Sequence, residues 1–177
     1  MIISLSHLSV GYSLSHPVIS DIDLELKSGQ LSCLIGENGI GKSTLLKTLT
    51  GFLPKLKGSV LFDNRDITSF SQRELARQVS IVLTHKPDVQ NLTIEEIIGL
   101  GRSPYTGFFG RLRIDDRMVV NDAIATMGIE KLRGRMIQTL SDGERQKVMI
   151  AKALAQETPV ILLDEPTAFL DFPSKAE

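Results

Sequence analysis

The sequence predicts an α/β fold: a mostly parallel sheet with flanking helices, an antiparallel β subdomain at the N-terminus and an inserted helical subdomain. Three observations carry this prediction. A glycine loop, Gly36-Glu37-Asn38-Gly39-Ile40-Gly41-Lys42-Ser43-Thr44, stands between the apolar run 31–35, which reads as a buried strand, and a helix whose apolar face is Leu45, Leu46 and Leu49. A second apolar run, Val160-Ile161-Leu162-Leu163, reads as a central parallel strand, apolar and buried on both faces, and ends in Asp164-Glu165. From residue 88 to 135 helical periodicity and glycine turns replace any strand pattern.

Composition bounds the rest. At 177 residues, 42% hydrophobic and 23% charged, the chain suffices for one sizeable core of ordinary globular character. A net charge of -1 gives no general pull toward nucleic acid or an acidic surface, a local patch excepted. Cys33 is the sole cysteine, so no intrachain disulfide forms; within an apolar run it reads as a small buried filler in a reducing compartment. No run approaches the roughly 18 apolar residues of a membrane span, and the N-terminal residues lack the charged head of a signal peptide, which points to the cytoplasm.

In chain order, Ile3, Leu5, Leu8 and Val10 fall roughly on one side of a strand, and Ile22, Leu24 and Leu26 alternate more strictly in another. Both are expected to be half-buried and antiparallel, the second closed by Ser28-Gly29. Between them stands Tyr12, whose ring either stacks a purine or caps the core edge. Gly51 stops the first helix, residues 58–62 form a short strand, 72–78 a short helix and 79–83 another core strand. Residues 84–87 then form a loop at a strand end, where α/β sheets place ligands. Thr93 caps a helix containing Ile97 and Ile98; Asp115-Asp116 open another with Val119, Val120, Ala123, Ile124 and Met127 on one face, closed by Gly128. Between these helices Phe108, Phe109, Arg111 and Arg113 form a basic aromatic loop, suited to a partner contact or to solvent with its rings tucked against a helix.

The glycine loop has the order and spacing of a P-loop. A phosphate chain needs many N–H donors and no obstructing side chains, which Gly36, Gly39 and Gly41 permit. The following helix start adds free amides, Lys42 a full charge and Ser43 a hydroxyl of the kind that ligates Mg²⁺. A plain glycine turn with Lys42 solvated is the competing possibility. Ser141 with Glu144 forms a capping box. Gly143 inside that helix's first turn costs about 1 kcal/mol against alanine, which close approach of something to the backbone would justify. Two carboxylates ending an apolar strand are costly unless matched by a cation or held at a solvent opening. Asp164 suits a Mg²⁺ water shell and Glu165 a base for water attacking a phosphate.

With these motifs in this order, essentially the whole chain resembles the nucleotide-binding subunit of an ATP-binding cassette transporter, with Ala168-Phe169-Leu170-Asp171 standing as its D-loop. The resemblance implies ATP and Mg²⁺ as cofactors. Tyr12 would lie under adenine. Gly36, Asn38, Gly39, Gly41, Lys42, Ser43 and Thr44 would hold the phosphates. Ser43 and Asp164 would serve the metal, and Glu165 would be the catalytic base. Two subunits would sandwich two nucleotides as a homodimer, Ser141 and Gly143 reading the γ-phosphate bound by the partner subunit. Transmembrane permease subunits are the implied partners, with no nucleic acid, and the location is peripheral, on the cytoplasmic face of the inner membrane. Core residues would be 1–87 and 136–177, the helical subdomain 88–135. The stretches 101–107 and 140–146 resemble ATPases driving uptake of iron-siderophore, haem or cobalamin complexes.

Three departures from the family pattern stand out. Thr84, followed by His85, replaces a usual glutamine and offers a shorter hydroxyl to metal or water. Asp142 and Glu144 replace the commonest signature residues, and both are expected to point away from the γ-phosphate. The family's later strand with a switch histidine has no counterpart, because His7, His16 and His85 all precede residue 160. The expectation is a C-terminally truncated domain that binds nucleotide but hydrolyses it slowly or not at all. A soluble ATPase of the same family and a non-hydrolysing nucleotide-binding protein are the alternatives.

Overall fold

The computed structural model describes residues 1–84, 89–107 and 109–166; His85, Phe108 and the 168–171 segment singled out above lie outside them. The chain forms two compact units, Met1–Val79 and Ser80–Glu177.

In the first unit β1 (Ile2–Val10), β2 (Ile19–Lys27), β3 (Lys57–Phe62) and β4 (Arg65–Asp66) form an antiparallel sheet in the order β2-β1-β3-β4. Ile3 and Leu5 are buried, and so are Leu8 and Val10, which strict alternation forbids. A bulge resolves the conflict: β1 changes register against β2 between Leu5 and Leu8, and against β3 between Ser6 and Ser9. There His7 takes φ 47°, Asp21 59° and Gly58 76°. A Cβ on Gly58 would collide with the carbonyl oxygens of Ser6 and His7, so glycine is required. The exposed His7 imidazole places Nδ1 2.8 Å from Asp21 Oδ1 and 3.8 Å from Asp23 Oδ2. The Asp21 hydrogen bond, then the Asp23 charge, raise its pKa above 6.5.

Helix α1 (Lys42–Leu49) buries Leu45 and Leu49 and leaves Leu46 half-buried. It stops where Gly51, at φ 73°, donates its N–H to the Thr48 carbonyl at 3.1 Å. Helix α2 (Gln72–Leu75) starts on a Ser71/Glu74 capping box and is shorter than the predicted 72–78. Beyond Leu75 the chain tightens, Arg77 and Gln78 donating to the carbonyls three residues back. The predicted buried strand at 31–35 is a correction. Residues 31–37 have no regular structure, Leu31 and Ile35 are exposed, and Cys33 faces solvent rather than filling a core. A strand is stable only when a neighbour pairs with its N–H and C=O groups, and among the described residues none pairs here.

The second unit holds β5 (Val79–Val82) from its second residue on, paired with β6 (Val160–Leu163). The Asp164 N–H donates to the Val82 carbonyl at 2.9 Å and the Thr158 hydroxyl to Ser80 Oγ at 3.0 Å. The expectation that this strand is buried on both faces is also corrected: Leu162 is buried, whereas Ile161 and Leu163 are exposed. Helices α3 (Ile94–Gly99), α4 (Ile114–Thr126) and α5 (Asp142–Ala155) enclose a core with Ile94, Ile98, Ile124 and Val148 at its centre. Thr93 and Ser141 cap α3 and α5 through capping boxes with Glu96 and Glu144, and Gly128 at φ 62° follows the end of α4.

A charged pair, Arg102 and Asp116, lies inside this unit. Arg102, 6% exposed, donates from Nε to Asp116 Oδ1 at 3.0 Å, and from Nη1 to the Ala155 carbonyl at 2.8 Å and Glu157 Oε2 at 2.7 Å. Its guanidinium stacks 4.1 Å over the Tyr105 ring. The Arg113 N–H, and then Arg102, hold the Asp116 carboxyl below its ordinary value. Arg102 thus joins the starts and ends of three elements through groups already desolvated.

Arg102→Met is expected to lower stability by about 3–5 kcal/mol in urea unfolding, because Asp116 is left buried without its cation. Asp21→Asn is expected to bring the His7 pKa down toward 6.5, read from its imidazole proton shift against pH. Because the folded pKa is the raised one, the His7 contribution to stability is fully present below 6.5 and is lost as pH rises through the raised value.

Candidate functional site

Residues 36–40 of the glycine loop are exposed, while Gly41 is buried. Gly39 takes φ 82° with no atom within 4 Å of a would-be Cβ, and Gly41 takes φ 111°. A Cβ on Gly41 would stand 2.6 Å from Val18 Cγ1 and 2.8 Å from Ile19 Cγ1, so the entry to β2 presses directly on the junction of loop and helix. Gly41 is also the N-cap of α1 and supplies no side-chain hydrogen bond to the helix start, the end of a helix at which anions are held. Lys42 Nζ donates to the carbonyls of Gly36 and Glu37, each at 2.9 Å. Its ammonium bridges the mouth of the loop with two of its three N–H groups, and the third can meet a phosphate oxygen. Ser43 is half-buried and Thr44 buried; Asn38 is exposed with the loop. Tyr12 is 72% exposed on the turn after β1, its ring open to solvent rather than laid against the core edge.

At the end of β6, Asp164 is 5% exposed and Glu165 is exposed at φ 48°. The two carboxylates are neighbours in sequence, one sheltered and the other in solvent past the left-handed turn at Glu165. Thr84 Oγ donates to the Asp164 carbonyl at 2.8 Å, tying the ends of β5 and β6 together. Its proton is used there; the oxygen lone pairs remain for a ligand. At the start of α5, the Ser141 N–H and hydroxyl donate to Glu144 Oε2 at 2.8 and 2.9 Å, and Arg135 donates to Glu144 Oε1 at 3.2 Å. The Glu144 carboxylate is thereby turned back onto its own cap, and the Ser141 donors, then Arg135, hold its pKa low.

Sequence alone missed two features here. Arg145 Nε and Gln146 Nε2 are buried donor atoms without hydrogen-bond partners among the described residues, unspent at the start of α5 beside Gly143. The packing of Val18 and Ile19 onto Gly41 was equally invisible, because it joins residues more than a strand apart. The adjacent apolar residues Val18 and Ile19 at the entry to β2 gave no sign of what they would meet.

The donor set suits a magnesium nucleotide. An open glycine backbone, a bridging ammonium and a helix start match a polyphosphate, and the Ser43 hydroxyl within that helix start is a hard oxygen ligand of the kind Mg²⁺ takes. A loop so built defines a P-loop nucleoside-triphosphate-binding protein. The ABC transporter family model matches residues 19–168, and the chain belongs to that family. It is 43% identical to an uncharacterized ABC transporter ATP-binding protein of Methanocaldococcus jannaschii, over 97% of this chain and 59% of that protein. It is 41% identical to the achromobactin transport ATP-binding protein of Dickeya dadantii, over 99% of this chain and 65% of the relative. The ferric enterobactin transport ATP-binding protein of Escherichia coli is 37% identical, over 93% and 60%. Among solved structures, cbiO1 of Clostridium perfringens, part of the cbiONQ transporter complex, superposes with a TM-score of 0.82 at 30% identity, over 98% of this chain and 69% of its own. The chain spans about three-fifths of the length of the curated relatives it matches.

Gly41→Ala is expected to destabilise the first unit by about 1–3 kcal/mol, since an L side chain at that φ is strained and its Cβ meets Val18 and Ile19. Thermal unfolding measures the loss. Gly39→Ala, strained but with open space around it, is expected to cost less.

Proposed function

We propose that this chain is the ATP-binding and hydrolysing part of a subunit that energises import of a metal chelate, such as an iron-siderophore, haem or cobalamin complex. The observation that carries this is the glycine loop held by Lys42, in a chain whose relatives include transport proteins for achromobactin and ferric enterobactin. Magnesium supplies charge neutralisation on the phosphate oxygens when ATP is bound. Lys42 and the loop amides bind and orient the triphosphate, and Tyr12 stacks on the base. Ser43 and Asp164 furnish the oxygen ligands, with Thr84 fixing the Asp164 backbone. Glu165, exposed, accepts a proton from water or orients it. In the working complex a second copy would bring its Ser141 and Gly143 to the phosphates, and transmembrane permease subunits would receive the motion. That places the protein peripherally, on the inner face of the cytoplasmic membrane.

Measuring ATP affinity and turnover on one sample tests this. Lys42→Ala is expected to weaken binding about 10- to 150-fold, the worth of hydrogen bonds to a charged group. Glu165→Gln is expected to keep affinity and lower any turnover about 10²- to 10⁴-fold. Unchanged affinity in Lys42→Ala would remove the glycine loop from the site.

A further inference from the structure

Nucleotide chemistry leaves the loop and helix start at residues 109–118 unused. Phe109 is 83% exposed, Ile114 78% and Met118 58%. Arg111, Arg113 and Arg117 are exposed among them, and none of the three enters an ion pair among the described residues. Ile114, Arg117 and Met118 lie at i, i+3 and i+4 and share one face of α4. Leu112 turns the other way: its Cδ1 lies 3.0 Å from where a Cβ on Gly99 would stand, which seats the loop on the end of α3. Leu100, next to that seat, is itself 48% exposed. Asp116 is withdrawn into the unit by Arg102, so Asp115 is the exposed acid of the stretch, and an excess of two positive charges remains.

Exposed aromatic and aliphatic side chains gathered in one short stretch mark a contact surface. Here they alternate with guanidiniums, and this pairing selects the occupant. A protein partner would have to match the arginines with acids placed one by one. A bilayer of anionic lipids presents phosphates everywhere above an apolar layer, which suits a loop and a first helical turn whose apolar side chains reach outward. The arginine stems lie along the apolar side chains while their heads meet phosphate. We propose that residues 109–118 form a contact surface for anionic phospholipid bilayers, Phe109, Ile114 and Met118 entering the headgroup boundary and Arg111, Arg113 and Arg117 pairing with lipid phosphates. This goes beyond the nucleotide site and does not depend on it.

The chain contains no tryptophan, so Phe109→Trp gives a single reporter. With vesicles of phosphatidylglycerol and phosphatidylcholine its emission is expected to shift to the blue and to be quenched by brominated acyl chains. Phosphatidylcholine alone should leave it unchanged, and added salt should reverse the shift. Replacing Arg111, Arg113 and Arg117 together by glutamine is expected to lower partitioning into the anionic vesicles about a hundredfold, about fivefold for each charge, while ATP affinity and the helical circular dichroism stay as in the parent. Should the triple variant fold poorly, each single substitution in the Phe109→Trp background serves the same end. Emission that stays at its aqueous position with anionic vesicles overturns the proposal. So does equal binding to both kinds of vesicle, or a shift seen only when a membrane protein partner is present. Loss of ATP binding in the parent would overturn the nucleotide proposal and leave this one standing.

Discussion

The Lys42 ammonium, bonded at 2.9 Å to the carbonyls of Gly36 and Glu37, is the interaction on which the candidate site depends. A glycine loop has little stiffness of its own, because each glycine gives up more conformational freedom than any other residue when it is fixed. The loop is restrained at two points instead. Lys42 draws its mouth together, and Val18 and Ile19 bear on Gly41 at its exit, where φ 111° and the lack of a Cβ let them approach. The donors are therefore aimed before a ligand arrives, which reduces the ordering that binding must bring about.

The two units handle charge in contrasting ways. Arg102 is buried and engages Asp116, Glu157, the Ala155 carbonyl and the Tyr105 ring, so it fixes how the ends of the helical elements meet. His7 sits at a bulge in full solvent, where its ion pairs are screened and its protonation tracks pH. In the helical unit Arg111, Arg113 and Arg117 enter no ion pair among the described residues. Withdrawing Asp116 to Arg102 is what leaves the neighbouring arginines in excess, so the buried pair and the basic surface have one origin.

Much of this was legible from local pattern. The capping boxes at Thr93/Glu96 and Ser141/Glu144, the stop at Gly51 and the turn at Gly128 depend on residues within a few positions of each other, and each formed as its spacing dictates. The bulge was half visible, in the change from odd to even apolar positions between Leu5 and Leu8. Its cause, the close passage of Gly58 under His7, needed the third strand. The run at 160–163 pairs with β5 and misled only in burial, Ile161 and Leu163 staying exposed, whereas the run at 31–35 misled outright. Hydrophobicity states what a segment would bury, but a strand must also find pairing neighbours, and composition does not count them.

The sequence by itself determined the fold class, the glycine loop ahead of α1 and the starts of α3 and α5, because glycines in a row and a hydroxyl three residues before a glutamate act through their immediate neighbours. Tertiary structure alone decided that Arg102 is buried and Arg111 is not, that Tyr12 stands open, and that Thr84 spends its proton on the Asp164 carbonyl. The burial of Arg102 and the use of the Thr84 proton rest on which distant backbone carbonyl comes within about 3 Å of a polar group, the range in which hydrogen bonds form. That proximity is set by how elements pack and is not written in the spacing of the residues themselves.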